Sequence, residues 1–92
     1  MHYFYILFSH QADRYYIGET SNLSKRLEKH NQDNHKSYTK IANDWEYVLT
    51  FKTDNRADAL FLESFTKRMK SRKFIQKIAN NQHILQDILK NR

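Results

Sequence analysis

From Tyr3 to Ser9 almost every side chain is aromatic or branched. Alternation puts Tyr3, Tyr5 and Leu7 on one face of a strand and Phe4, Ile6 and Phe8 on the other. Both faces are mostly apolar, which predicts a central strand covered on two sides. His10 to Arg14 is polar and turn-like, and Tyr15 to Glu19 reads as a second strand, so 3–19 forms a β-hairpin with a five-residue connection. Ser21 or Asn22 is placed to cap a helix in which Leu23 and Leu27 share a face, ending near Asn31. Gln32 to Asn43 is polar apart from isolated residues such as Tyr38 and Ile41 and reads as loop, and Asp44 to Lys52 as the third strand. Asn55 is an N-cap with Asp58 in the first turn. Ala59, Leu62, Phe65, Thr66 and Met69 then continue a buried stripe to about Ser71. Phe74, Ile75 and Ile78 give a shorter helix. Ile84, Leu85, Ile88 and Leu89 give a last amphipathic one, with Asn80 and Asn81 between the two.

These elements predict an α+β fold, a three-stranded antiparallel sheet flanked by helices in the order β-β-α-β-α-α(-α), because helices on the sheet bury both apolar patterns at once. With 92 residues the chain holds one core, and a single domain over 1–92 is expected. Six Phe, six Tyr and one Trp within 39% apolar residues supply that core despite the charge, so disorder is not expected over most of the chain. The sequence has no cysteine, which excludes disulfides and zinc–thiolate sites. No apolar run is long enough for a membrane span, no secretion signal opens the chain, and a cytoplasmic protein without a membrane partner is the expectation.

The formal charge of +6 is unevenly spread. Residues 1–20 and 42–66 are net acidic, and the basic excess lies in 21–41 and 67–92. Such asymmetry attracts a polyanion. The run Lys67-Arg68-Met69-Lys70-Ser71-Arg72-Lys73 carries five cations with Met69 expected to face inward. With Lys25, Lys36 and Lys40, the side chains of Lys67, Lys70, Arg72 and Lys73 read as phosphate contacts, which position nucleic acid without reading its sequence. Asn22, Asn31, Tyr38 and Thr39 add donors around the same groove.

Five residues carry candidate chemistry. Tyr5 and Tyr16 lie on adjacent strands, where a paired phenol beside a cation can take a proton from an attacking water. Arg26 and His30 stand four apart on one helix face. The guanidinium offers a planar fork to phosphate oxygens, and the imidazole can orient water or protonate a leaving oxygen. Glu63 interrupts an apolar stretch and is a candidate single-carboxylate ligand for Mg²⁺; an ordinary helix ion pair with Lys67 is the competing reading. Gly18, the sole glycine, ends a strand of large side chains and admits a close approach by a ring, a backbone or a phosphate.

In order along the chain stand Tyr3-Phe4-Tyr5-Ile6-Leu7, Tyr16-Ile17-Gly18-Glu19-Thr20, Asn22-Leu23, Lys25-Arg26-Leu27, His30-Asn31 and Ser37-Tyr38-Thr39-Lys40. The strand around Trp45, then Asp58-Ala59-Leu60, Glu63, Lys67 and Lys70-Ser71-Arg72-Lys73 follow. This ordered series resembles the GIY-YIG nuclease superfamily, and within it the small single-domain bacterial branch often labelled excision-nuclease-like. The first motif lacks its glycine, where that branch usually has an aromatic. The resemblance implies a metal-dependent endonuclease hydrolysing nucleic-acid phosphodiester bonds, with DNA the expected substrate, and one divalent ion, Mg²⁺ or Mn²⁺. It implies Tyr5 as general base with Tyr16 sharing or supporting that role, Arg26 stabilising the phosphorane charge, Glu63 holding the metal and His30 as an auxiliary group. Two alternatives stand beside it. One is a non-catalytic nucleic-acid-binding module on the same fold. The other is a structural or protein-interaction domain, in which the ridge of Ile84, Leu85, Ile88 and Leu89 either closes the core, the commoner role in a chain this size, or forms a seam with a second copy.

Overall fold

A computed structural model describes residues 1–32 and 42–92. Lys36, Lys40, Tyr38 and Thr39 lie outside the described residues. The chain runs β1 (His2–Ser9), β2 (Arg14–Thr20), α1 (Leu23–Asn31), β3 (Glu46–Thr53), α2 (Arg56–Met69), α3 (Arg72–Asn80) and α4 (His83–Lys90). The expected α+β order is the observed one. The sheet has the order β2-β1-β3 and both pairings are antiparallel, so the doubly apolar first strand lies in the centre. Phe4, Tyr5, Ile6 and Leu7 are all at 0% exposure, as a strand packed on both faces must be.

The two faces carry separate cores. Phe4, Ile6 and Leu49 pack with Leu62 of α2, Ile75 and Ile78 of α3 and Leu85 of α4. Tyr5 and Leu7 face the other way and pack with Trp45, Tyr16, Tyr47 and the α1 residues Leu23 and Leu27. The helices therefore divide, α1 on one face and α2 to α4 on the other. The α4 ridge belongs to the first core: Leu85 is buried, and Ile84, Ile88 and Leu89 pack against the same cluster.

A β-bulge sets which residues reach the α1 face. Ile6 pairs with Leu49, but Leu7 pairs with Tyr47, leaving Val48 as the extra residue. A bulge shifts the alternation by one. Leu49 thus stays with the α2 core while Tyr47 joins the α1 core, where its hydroxyl donates to the Leu23 carbonyl at 2.6 Å.

Side-chain caps fix the starts of α1, α2 and α3. Asn22 Oδ1 accepts from Lys25 N and Asn55 Oδ1 from Asp58 N, and Ser71 Oγ accepts from Phe74 N. Asn22 is thus used as a cap, and Asn31 clamps the chain before β3 by holding both the N–H and the carbonyl of Trp45, at 2.8 and 2.9 Å. Met69 departs from expectation: it is 45% exposed, not inward. It is the last residue of α2, and Lys70 turns into the left-handed region immediately after it, so the buried stripe stops at Thr66.

Candidate functional site

The Tyr5–Gly18 pair is the seed of the site. The two residues face each other across β1 and β2, and the Tyr5 ring lies directly over Gly18. A Cβ built on Gly18 falls 2.5 Å from the Tyr5 oxygen and 2.7 Å from Cζ, so a phenol in this place requires a residue without a side chain opposite it. Gly18 has an ordinary negative φ; contact, not backbone freedom, demands the glycine.

From above, α1 closes on that phenol. The spacing of four puts Arg26 and His30 on the face turned to the sheet. The Tyr5 hydroxyl lies 3.0 Å from His30 Nε2, and Arg26 Nη1 donates to it at 3.4 Å. A guanidinium only donates, so the arrangement that satisfies all three groups has the phenol donating to an unprotonated His30 Nε2. Two more tyrosines wall the pair. The Tyr16 ring lies 6.4 Å from that of Tyr5 and 4.6 Å from the imidazole, and Tyr47 meets Tyr5 edge-on at 5.5 Å. Sequence reading gave Tyr47 only a place in a strand; the bulge that brings it here leaves no mark in the alternation.

The electrostatics favour neutral forms. Burial, aided by Arg26 and then Lys29, lowers the His30 pKa to about 4. Burial also raises that of Tyr5, against the pull of Arg26. The resting site is thus a neutral phenol bonded to a neutral imidazole under a fixed cation.

The His30 shift has a stability consequence. Between about pH 6.5 and pH 4 the unfolded chain binds a proton at His30 that the folded protein refuses, so folding stability falls as pH drops through that window and the loss is complete below it. About 2 kcal/mol is expected, the site's partial contact with solvent discounting the full shift. Urea melts of wild type and His30→Gln at pH 7 and pH 4.5 check this. The wild type is expected to lose more stability than the variant, and equal losses would contradict the shift.

Glu63 lies elsewhere. It belongs to α2, on the opposite face of the sheet from α1, and its carboxylate accepts from Lys67 Nζ at 2.7 Å. Its flank of α2 borders the edge strand: Arg56 on that flank reaches Glu19 of β2 at 3.4 Å, and Lys67 borders one cleft with Tyr15 and Ile17. The structure thus gathers Tyr5, Tyr16, Gly18, Arg26 and His30 into one cluster and holds Glu63 apart, with β2 between. Among the described residues no group of three or more His, Cys, Asp or Glu side chains converges. Glu63 is a lone, half-buried oxygen donor. That fits an ion such as Mg²⁺ or Mn²⁺, which keeps water and substrate oxygens in its remaining positions, and does not fit a dedicated protein cage.

The expected phosphate contacts Lys25, Lys67, Lys70, Arg72 and Lys73 are all exposed. Lys25 stands in the first turn of α1 and the others around the α2–α3 junction. Among the described residues no helix is long and apolar enough to cross a membrane.

A family model described as the GIY-YIG catalytic domain matches residues 1–78. No curated protein and no solved structure matches the chain.

Proposed function

The chain belongs to the GIY-YIG family, a nuclease superfamily, and from that premise we propose that it is a divalent-metal-dependent endonuclease hydrolysing phosphodiester bonds, those of DNA, as a single domain of the small excision-nuclease-like branch. The observation that carries the reading is the Tyr5 hydroxyl held between Arg26 and His30 above the sole glycine. A phenol with a base on one side and a cation on the other is equipped to move one proton beside a phosphate.

In this mechanism a phosphodiester lies along the outer edge of β2, within reach of both helical layers. Arg26 holds a non-bridging oxygen and offsets the charge that grows there. Water attacks phosphorus; the new P–O bond forms as the ester P–O bond breaks, and the leaving oxygen takes a proton from solvent to depart as a hydroxyl. Tyr5 takes the proton of the water as its own proton passes to His30 Nε2, so a free phenolate never forms. Burial first, and then Arg26, disfavours an imidazolium in the resting site; the bound phosphate anion offsets the Arg26 repulsion, so His30 is a better base when substrate is present. Tyr16 lines the entry beside both rings. Glu63 would hold the metal, which when bound would neutralise phosphoryl charge. The Tyr5 hydroxyl is closed off in the resting structure, so substrate entry must open the Tyr16 side before water reaches it.

The test is incubation of the purified chain with end-labelled single-stranded, nicked and branched DNA. Cleavage is expected in Mg²⁺ or Mn²⁺ and none in EDTA. A second reading, the non-catalytic binding module, is favoured by the buried Tyr5 and by the Glu63–Lys67 ion pair on the far layer. Full binding in EDTA with no cleavage of any substrate in either metal decides for it.

A further inference from the structure

The hairpin turn before β2 and the junction of α2 with α3 meet in a cleft of about 460 Å³. Arg14, Lys67, Lys70 and Arg72 border it, and Asp13 is the acid among them. Among the described residues, Asp13 and Lys70 are the two non-glycine positions with positive φ, at 52° and 47°, and both border this cleft. Left-handed backbone costs a non-glycine residue about 1 kcal/mol and clusters at functional sites. Here it turns both residues toward the same space.

Three further features suit an anion. The α3 N-terminus opens into the cleft at Ser71 with no acid in its first turn. Thr66, only 1% exposed, borders the floor, and its hydroxyl has no hydrogen-bond partner among the described residues. Arg72 is pre-set: its guanidinium lies over the Tyr15 ring at 5.1 Å and the Phe8 ring at 5.9 Å. Its fork is filled by Asp13, with Nη2 donating to Oδ1 at 2.6 Å and Nη1 to the backbone carbonyl at 3.5 Å. The Asp13 side chain is 74% exposed, and so open an ion pair is worth at most about 1 kcal/mol. A carboxylate loosely held in an arginine fork, beside a helix N-terminus and further cations, occupies the position a phosphate would take.

We infer that this cleft is a second phosphate seat, taking a non-scissile phosphodiester of a nucleic-acid strand, and that Asp13 is the place-holder this phosphate displaces from Arg72. The ligand class rests on the nucleic-acid reading above. The seat lies on the α2 side of β2, so a strand held there passes the same strand edge that the Tyr5–Arg26–His30 cluster borders from the other face. Asp13 makes occupancy conditional, since a phosphate must compete with a carboxylate already in the fork.

The experiment is fluorescence anisotropy with a labelled DNA oligonucleotide in EDTA, over a series of salt concentrations. Asp13→Asn keeps a residue at ease in left-handed backbone and removes the competing charge. It is expected to tighten binding about threefold or more and to steepen the salt dependence by about one counterion. Asp54→Asn changes net charge equally but lies at the start of α2, remote from the cleft, and is expected to move affinity less. Lys70→Asn is expected to weaken binding by about the factor that Asp13→Asn gains. Melting temperatures near wild type show that the variants are folded. Equal shifts for Asp13→Asn and Asp54→Asn would reduce the effect to net charge and overturn the seat, as would wild-type binding by Lys70→Asn. Because binding is read without metal, the two readings fail separately. The predicted shifts without cleavage leave the seat and remove the nuclease, whereas cleavage with no Asp13 effect does the reverse.

Discussion

Arg26→Ala is expected to lower the rate of phosphodiester cleavage by about a thousandfold, the scale seen when a donor aimed at developing oxyanion charge is removed. Nη1 reaches the Tyr5 hydroxyl at 3.4 Å, and a planar fork can hold the phenol with one nitrogen while another faces a phosphate oxygen. Arg26→Lys keeps the charge without the fork and should recover only part of the loss. The fold should survive, since one half-buried hydrogen bond is worth about 1 kcal/mol. A second readout separates chemistry from collapse. Arg26 is the leading charge that holds His30 near 4, after burial itself, so Arg26→Ala should move the imidazole pKa upward in an NMR titration. A variant with raised His30 pKa and undiminished cleavage would take Arg26 out of the reaction while confirming where it sits. Unchanged values for both would break the geometry at its centre.

Glu63 presents a different problem, because its layer is not that of Arg26. A carboxylate on one face of the sheet and a guanidinium on the other can act on one phosphate only past a free edge. β2 is such an edge in the order β2-β1-β3, and Gly18 removes the side chain that would thicken it. The Lys67 ammonium at 2.7 Å already holds a positive charge against Glu63. A divalent ion there must displace or share with it, so Lys67→Gln should strengthen the metal dependence of cleavage if Glu63 is the ligand.

The fold was legible because its signals are local. Alternation through Tyr3–Phe8 with both faces apolar marks a central strand, and Asn22 and Asn55 mark helix starts by chemistry that needs no knowledge of the rest. The Arg26–His30 pair was legible as a shared helix face. Its burial was not, because only the register of Tyr5 against Gly18 brings a hydroxyl beneath it. The position of Tyr47 was hidden for a sharper reason: without the bulge at Val48, parity assigns it to the α2 face. Asn31, read as a donor for a ligand, is consumed by the Trp45 backbone, a pairing between residues fourteen apart. Met69 was misread because an apolar residue at helical spacing counts as buried only while the helix still lies over the sheet. Asp13 carried no signal, since a lone acid in a polar turn is the commonest kind of surface residue, and its meaning comes from Arg72, fifty-nine positions away.

Gly18→Ala tests the site and the fold together, and its sign is the informative part. In open strand backbone with ordinary φ, alanine in place of glycine stabilises by about 0.4–1 kcal/mol through the unfolded chain. Here the added methyl would stand 2.5 Å from the Tyr5 oxygen and 2.7 Å from Cζ, far inside contact distance. The ring cannot swing aside, since Tyr5 is fully buried and Tyr16, Tyr47 and His30 surround it. Overpacking of this kind costs about 1–3 kcal/mol, and displacing the hydroxyl from His30 and Arg26 adds to it, so a net loss of about 2–3 kcal/mol is expected in urea melts. Cleavage should fall with it, because the phenol can no longer stand between its two partners. Tyr5→Phe in the same background removes the nearest colliding atom but leaves Cζ, so the double variant should recover part of the stability and none of the activity. A coupling of about 1 kcal/mol between the two sites is the expected size for residues in contact. If Gly18→Ala proves as stable as wild type or more so, the phenol does not lie over that backbone, and the three-way contact of Tyr5, Arg26 and His30 loses its foundation.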